Sequence, residues 1–255
     1  MNLPSERLDG RHAIVTGAGR GLGRGAALAL AELGADMTLV ARSPAELEEV
    51  AHAAERAGVR AWVRPADVTD AELVERAIVA AARESPRASI LVTAAGTNRP
   101  GPAADYPLAD WDLLMDVNVR GTFLACRAFG AALLDRGAPG SIVTVSSQMG
   151  SVGYPGRVAY CTAKHAVNGM TKALAVEWAR DGIRVNAVAP TFVLTPMTEG
   201  MLGDPGFAAE VERRLPTGEL ATIDHVSAAI AYLASDRSGS VTGHVLAVDG
   251  GWTAW

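Results

Sequence analysis

The chain has only two cysteines, Cys126 and Cys161, among 255 residues. Two thiols cannot build a disulfide framework, and their scarcity fits a reducing, cytoplasmic compartment. Aromatic residues make up 5% of the chain, so the core must be built mainly from Ala, Val, Leu and Ile. Neither sign of charge dominates. The slightly acidic balance of −5 disfavours a nucleic-acid backbone or an anionic membrane as partner. The opening segment, MNLPSERLDGRH, lacks an apolar signal core, and no apolar run is long enough to span a bilayer. Repeats, low-complexity tracts and Pro/Ser-rich linkers are missing as well. Lysine is the scarcest charged residue: Lys164 and Lys172 are the only two among 23 basic residues. A chain so biased towards Arg keeps Lys where a compact ammonium is needed.

What is present is a 49% hydrophobic sequence in which short apolar runs alternate with helical patterns. His12–Thr16, Asp36–Ala41, Arg60–Arg64, Ser89–Ala94, Ser141–Ser146, Arg184–Ala189 and His244–Val248 read as strands. Helices are expected over Gly21–Leu33, Pro44–Ala57, within Asp70–Glu84, across Ala109–Leu134 with an interruption, over Val158–Arg180 and over Val226–Leu233. This alternation predicts an α/β fold in which residues 1–255 form a single Rossmann-like domain. Its doubly wound parallel sheet would have about seven strands and helices on both faces. Residues 191–216 carry Pro and Gly at intervals without a firm period, as a substrate lid would.

The loop Thr16-Gly17-Ala18-Gly19-Arg20-Gly21-Leu22-Gly23 lies between the first strand and the first helix. Glycines there permit a tight turn and close approach of a pyrophosphate, at which the helix points its free N–H groups. The second strand ends in Ala41-Arg42-Ser43, without the carboxylate that would accept from a ribose 2′-hydroxyl. Arg42, with Ser43 and Arg20, is instead suited to a 2′-phosphate, which favours NADP(H) and leaves NAD(H) as the alternative. Further on, Tyr160 and Lys164 stand at i and i+4 on one helix face, where an ammonium would lower the phenol's pKa and let it exchange a proton near neutrality. Ser146 and Ser147 end the preceding strand, at the sheet edge where such folds bind ligands.

These pieces together resemble the short-chain dehydrogenase/reductase family over essentially the whole chain: TGAGRGLG, Asp67-Val68, Asn118 in DVNVRG, VSS, YCTAK, RVNAVAP and DGG at Asp249–Gly251. The resemblance implies an NAD(P)-dependent enzyme that interconverts a secondary alcohol and a ketone. In it, Ser147 would hold the substrate oxygen and Tyr160 would be the acid/base. Lys164 would hold the nicotinamide ribose and tune Tyr160, and Asn118 would position a relay water. Gly17, Arg20, Gly21, Leu22, Gly23, Arg42, Ser43, Asp67, Val68, Ala95, Gly96, Val193 and Thr195, with Tyr160 and Lys164, would line the dinucleotide site. The family also implies a homotetramer or dimer, and the tail resembles those of polyol and sugar dehydrogenases of the gluconate and galactitol type.

Two departures stand out. The family's Asn-Asn-Ala-Gly is Thr93-Ala94-Ala95-Gly96, which should cost braces on the fourth strand; its Pro-Gly is Pro190-Thr191, which requires a loop free of positive φ. The five histidines show no ligand spacing, so no metal site is expected. Glu46, Glu48 and Glu49 read as a solvated helix face, and the terminal Trp252 and Trp255 as a subunit contact. Gln148, Met149, Tyr154, Asn98, Arg99, Thr191, Phe192 and residues 197–202 are expected around a polyol, sugar acid or small hydroxy-ketone. A 3-oxoacyl-carrier-protein reductase is the rival enzyme, with Arg99, Arg120, Arg127 and Arg157 as a docking patch. A non-catalytic nucleotide sensor is the rival from another class.

Overall fold

The computed structural model describes residues 4–254. Strands β1 (His12–Thr16), β2 (Asp36–Ala41), β3 (Ala61–Pro65), β4 (Ala88–Thr93), β5 (Gly140–Val145), β6 (Ile183–Pro190) and β7 (Val245–Val248) form one parallel sheet. Their order is β3-β2-β1-β4-β5-β6-β7, the doubly wound arrangement expected. The order reverses between β1 and β4, and a crevice opens beyond their carboxyl ends.

The helices between them are α1 (Gly21–Glu32), α2 (Pro44–Arg56), α3 (Ala71–Glu84), α4 (Leu108–Met115), α5 (Gly121–Arg136), α6 (Val158–Trp178), α7 (Glu199–Leu202), α8 (Pro205–Arg213) and α9 (Ile223–Ala234). Strand alternation divides the core into two layers. Val15, Leu39 and Val92 meet Leu30, Val50 and Ile230 on one face. Ile14, Val40 and Leu91 meet Ile78, Phe129 and Trp178 on the other.

The interruption expected within Ala109–Leu134 is a π turn, Asp116–Arg120, which joins α4 to α5 and carries Asn118. Residues 191–216 hold two helices that the sequence reading left out. α8 begins where the Asp204 carboxylate accepts from the Phe207 N–H (2.7 Å) and Pro205 takes a first-turn position. α9 starts earlier than Val226, because Thr222 and His225 form a reciprocal capping box. Among the described residues no non-glycine residue has positive φ, so Thr191 follows the path its side chain requires. Thr93 pays no compensation for the absent Asn: its buried hydroxyl has no hydrogen-bond partner.

A third apolar cluster of Met149, Phe192, Val211, Leu215 and Trp252 roofs the carboxyl edge of the sheet. It corrects the expectation for Trp252. That ring is 7% exposed and packs at 5.9 Å from Phe192 and 6.1 Å from Tyr154, inside its own chain. Trp255 lies outside the described residues. Among the described residues no helix is long and apolar enough to cross a membrane.

On β1, the buried His12 stacks on Trp62 at 5.0 Å and its Nε2 bonds Thr38 Oγ1 at 2.8 Å. Burial pulls its imidazole from 6.5 down to about 4. A base with a depressed folded pKa contributes stability that is intact above pH 6.5 and lost as pH falls through about 4, here about 3 kcal/mol in all. Equilibrium unfolding between pH 7 and pH 4 should therefore be less pH-dependent in His12→Phe than in the wild type; parallel curves would refute this.

Candidate active site

The carboxyl end of β5 hands the chain to two serines with separate tasks. Ser146 Oγ donates to Asn168 Oδ1 (2.6 Å), while Asn168 Nδ2 donates to the Gly150 carbonyl (2.8 Å), which pins the strand end to α6. Ser147 Oγ accepts from the Met149 N–H (3.2 Å), and its hydroxyl favours the ionised form of the neighbouring Tyr160 phenol. Tyr160 lies in the first turn of α6 and Lys164 one turn later, as the i, i+4 spacing predicts. Lys164 is 4% exposed; its ammonium donates to the Val145 carbonyl (2.8 Å) and sits 5.5 Å from the Tyr160 ring centre.

Asn118 joins this group from the π turn. Its Nδ2 donates to the carbonyls of Thr97 and Leu114 (both 3.0 Å), and its Oδ1 accepts from the Thr97 N–H (3.2 Å). These bonds brace the loop after β4. Gly96 is the joint of the assembly: a Cβ there would stand 3.0 Å from Asn118 Oδ1 and 4.0 Å from Lys164 Nζ. All four residues singled out for chemistry thus meet at one sheet edge.

The electrostatics differ from the expectation. Burial pushes the Tyr160 phenol up from 10.0 to about 12, and the Ser147 hydrogen bond offsets only part of this. Burial also pulls the Lys164 amine down from 10.5 to about 8. The phenol therefore keeps its proton at neutral pH. Low dielectric raises the cost of charge on both groups.

The glycine loop forms the opposite wall. Gly17 (φ +69°) passes so close to the loop after β4 that a Cβ would lie 2.6 Å from the Ala95 nitrogen. Gly23 packs against the Gly17 carbonyl, where a Cβ would come within 2.1 Å. α1 starts at Arg20 with no side-chain cap and no acidic residue in its first turn, whereas Ser43, Asp70, Asp204 and Thr222 cap other helices. Its free N–H groups are thereby left for an anion, and Thr195 approaches from across Gly21. Gly17, Gly21, Leu22, Gly23, Ala95 and Gly96 fit a dinucleotide diphosphate in this crevice.

At the ribose end, Arg42 Nη1 and Asp67 Oδ2 are 4.0 Å apart, and Asp67 Oδ1 accepts from the Thr69 N–H and hydroxyl. Val68 is buried against Gly121. Ser43 is partly committed, since it caps α2 at the Glu46 N–H (3.3 Å). Glu46 is not simply solvated. Its carboxylate lies over Gly19 and 4.0 Å from Arg20 Nη1, on the ground a 2′-phosphate would approach. Val193 turns its side chain into the core, its carbonyl accepts from the Thr198 hydroxyl, and its backbone bridges to Ala221. Sequence reasoning also missed the burial of Arg157, for which no periodicity gave a signal. A hollow of about 600 Å³ beside Tyr154 and Gly156 runs along Cys161 and His165 on the outer side of α6 and contains none of Ser147, Tyr160 or Lys164. Among the described residues no cluster of three metal-ligating side chains forms.

Residues 17–253 match the short-chain dehydrogenase model described as "Enoyl-(Acyl carrier protein) reductase". The chain belongs to the short-chain dehydrogenase/reductase family. It is 41% identical over 249 residues to D-threitol dehydrogenase of Mycolicibacterium smegmatis, covering 97% of this chain and 94% of that one. It is 42% identical over 252 residues to the L-tagatose-forming galactitol 2-dehydrogenase of Cereibacter sphaeroides, covering 98% and 97%. Among solved structures, gluconate 5-dehydrogenase of Burkholderia cenocepacia J2315, in complex with NADP and tartrate, superposes with a TM-score of 0.92 at 33% identity, covering 98% of both chains. This short-chain dehydrogenase/reductase thus shares the whole fold with these relatives.

The buried ammonium carries a stability cost. A Lys whose folded pKa is depressed loses stability as pH falls through about 8, so at pH 7 its charged form opposes folding. Lys164→Met is expected to raise Tm at pH 7 by about 2–4 °C and by less at pH 10. A lowered Tm at pH 7 in calorimetry would contradict the assignment.

Proposed function

We propose that the protein is an NADP(H)-dependent oxidoreductase that interconverts a secondary alcohol and a ketone on a polyol or sugar-acid substrate. The observation that carries this reading is the convergence of Ser147, Tyr160, Lys164 and Asn118 beside the open N-terminus of α1. Its relatives are named as dehydrogenases of threitol and galactitol, and a neighbouring gluconate 5-dehydrogenase was solved with NADP. Arg42 and Arg20, with no carboxylate at the end of β2, support NADP over NAD.

The bound nicotinamide supplies the hydride chemistry. The chain supplies orientation and the proton. Ser147 holds the substrate oxygen by hydrogen bond. Tyr160 gives its proton to that oxygen in reduction and takes it back in oxidation. Lys164 holds the ribose and places its positive charge beside the phenol, and Asn118 keeps the loop at Gly96 clear for ribose and water. Helices α7 and α8 act as the lid.

Some of the buried polar atoms without partners lie on the substrate side, while others, such as His12 Nδ1, Arg64 Nε and Ser227 Oγ, lie elsewhere. Asn98 Oδ1, both amide atoms of Gln148, Thr191 Oγ1 and Arg157 Nε are buried and unbonded on the loops after β4, β5 and β6 and before α6. Such atoms favour a ligand rich in hydroxyl and carboxylate groups over an acyl chain. The basic patch required by a carrier-protein reductase is dispersed: Arg127 pairs with Glu75 (3.3 Å), Arg120 donates to the Thr69 carbonyl (3.3 Å) and Arg157 is buried. Exposed Leu113, Phe123, Val158 and Val176 on α4, α5 and α6 support a homotetramer or dimer, and two free cysteines support a cytoplasmic setting.

Tyr160→Phe should lower kcat with ketone substrates by at least about 100-fold while NADPH binding, read by fluorescence, stays within about threefold. Full turnover in this variant would refute the reading, and NADPH binding without any turnover by the wild type would favour the sensor.

A further inference from the structure

Arg157 precedes α6, and its carbonyl accepts from the Cys161 N–H (2.8 Å). It therefore begins the helical turn that carries Tyr160 and lies on the same side of α6, three residues away. The residue is 6% exposed, yet none of the ion pairs among the described residues includes it. Its Nη1 donates to the neighbouring Gly156 carbonyl (3.2 Å), its Nη2 to the Met201 thioether (2.9 Å), and its Nε to nothing. A thioether is a weak acceptor and a poor match for a guanidinium fork, which suits a carboxylate. Glu210, the carboxylate at Tyr154, is engaged through Oε1 by Arg214 (3.0 Å) and the Tyr154 hydroxyl (3.3 Å) and makes no ion pair with Arg157.

A guanidinium withdrawn from water without a counter-charge is costly in the folded protein. Its surroundings are the functional ones: Tyr154 6.0 Å from the guanidinium carbon, Met201 of α7 above, and the Tyr160 phenol, which feels its charge. We propose that Arg157 receives the carboxylate of the substrate, so that the preferred substrate is an aldonic acid rather than a neutral polyol. The acid's oxygens replace Met201 as acceptors when α7 admits the substrate. The carbinol then lies a few carbons away, at Ser147 and Tyr160. This inference rests on the oxidoreductase reading above and names its substrate class.

The test uses the full-length protein with NADP⁺ and two sets of probes, aldonates of four to six carbons (threonate, gluconate, galactonate) and the neutral polyols threitol and galactitol. The wild type should oxidise at least one aldonate with a higher kcat/KM than either polyol. In Arg157→Met the ratio of aldonate to polyol kcat/KM should fall about 100-fold, mainly through KM, and Arg157→Lys should recover part of it. Glutarate, which has no hydroxyl to oxidise, should inhibit the wild type competitively and Arg157→Met at least tenfold more weakly. A wild type that oxidises polyols but no aldonate, or an unchanged ratio in both variants, would overturn the carboxylate assignment and leave the oxidoreductase reading standing. A wild type that turns over no alcohol or ketone would overturn both.

Discussion

The site depends on one contact, the donation from the Lys164 ammonium to the Val145 carbonyl at the end of β5. It ties a charged side chain of α6 to the sheet edge and removes it from water. The backbone carbonyl is only a partial counter-charge, so the amine is depressed to about 8 and the same dry surroundings raise Tyr160 to about 12. Both perturbations have the same origin, and each leaves the group ready to respond to a charge placed beside it. Ser146 and Asn168 fix the contact on one side; Asn118 and the bare Cα of Gly96 keep space for a ligand on the other.

Around that centre the chain places polar groups whose bonding is incomplete. α1 has no side-chain cap, Gln148 has an unbonded amide and Arg157 a bare Nε. The apolar cluster of Phe192, Trp252, Val211 and Leu215 packs against Met149, Tyr154 and Tyr160 beside them. Apolar packing beside unpaired donors strengthens any hydrogen bond that a ligand completes. Glu46 beside Arg20 and Asp67 beside Arg42 temper the positive charge at the end of β2.

Much of this was legible in the order of residues. Seven apolar runs separated by amphipathic segments account for the parallel sheet, and the glycine loop, Ser147, Tyr160 and Lys164 lie together because each ends a strand or starts a helix at the same edge. What escaped has a physical reason in each case. The π turn at Asn118 leaves the helical hydrophobic pattern almost intact. α8 is short, and its Asp204-Pro205 start was lost among neighbouring glycines and prolines. Trp252 reads as a subunit contact in the sequence because its partners, Phe192 and Tyr154, are far away along the chain. The raised pKa of Tyr160 is not legible in the sequence, since spacing along a helix gives proximity to Lys164 but says nothing of how much water remains.

The most direct test of the central claim is ultraviolet difference titration of the phenol, taken as wild type minus Tyr160→Phe, in the nucleotide-free protein. The account predicts no phenolate signal from Tyr160 until pH rises towards about 12. Ionisation of that residue near neutral pH in the free protein would contradict it.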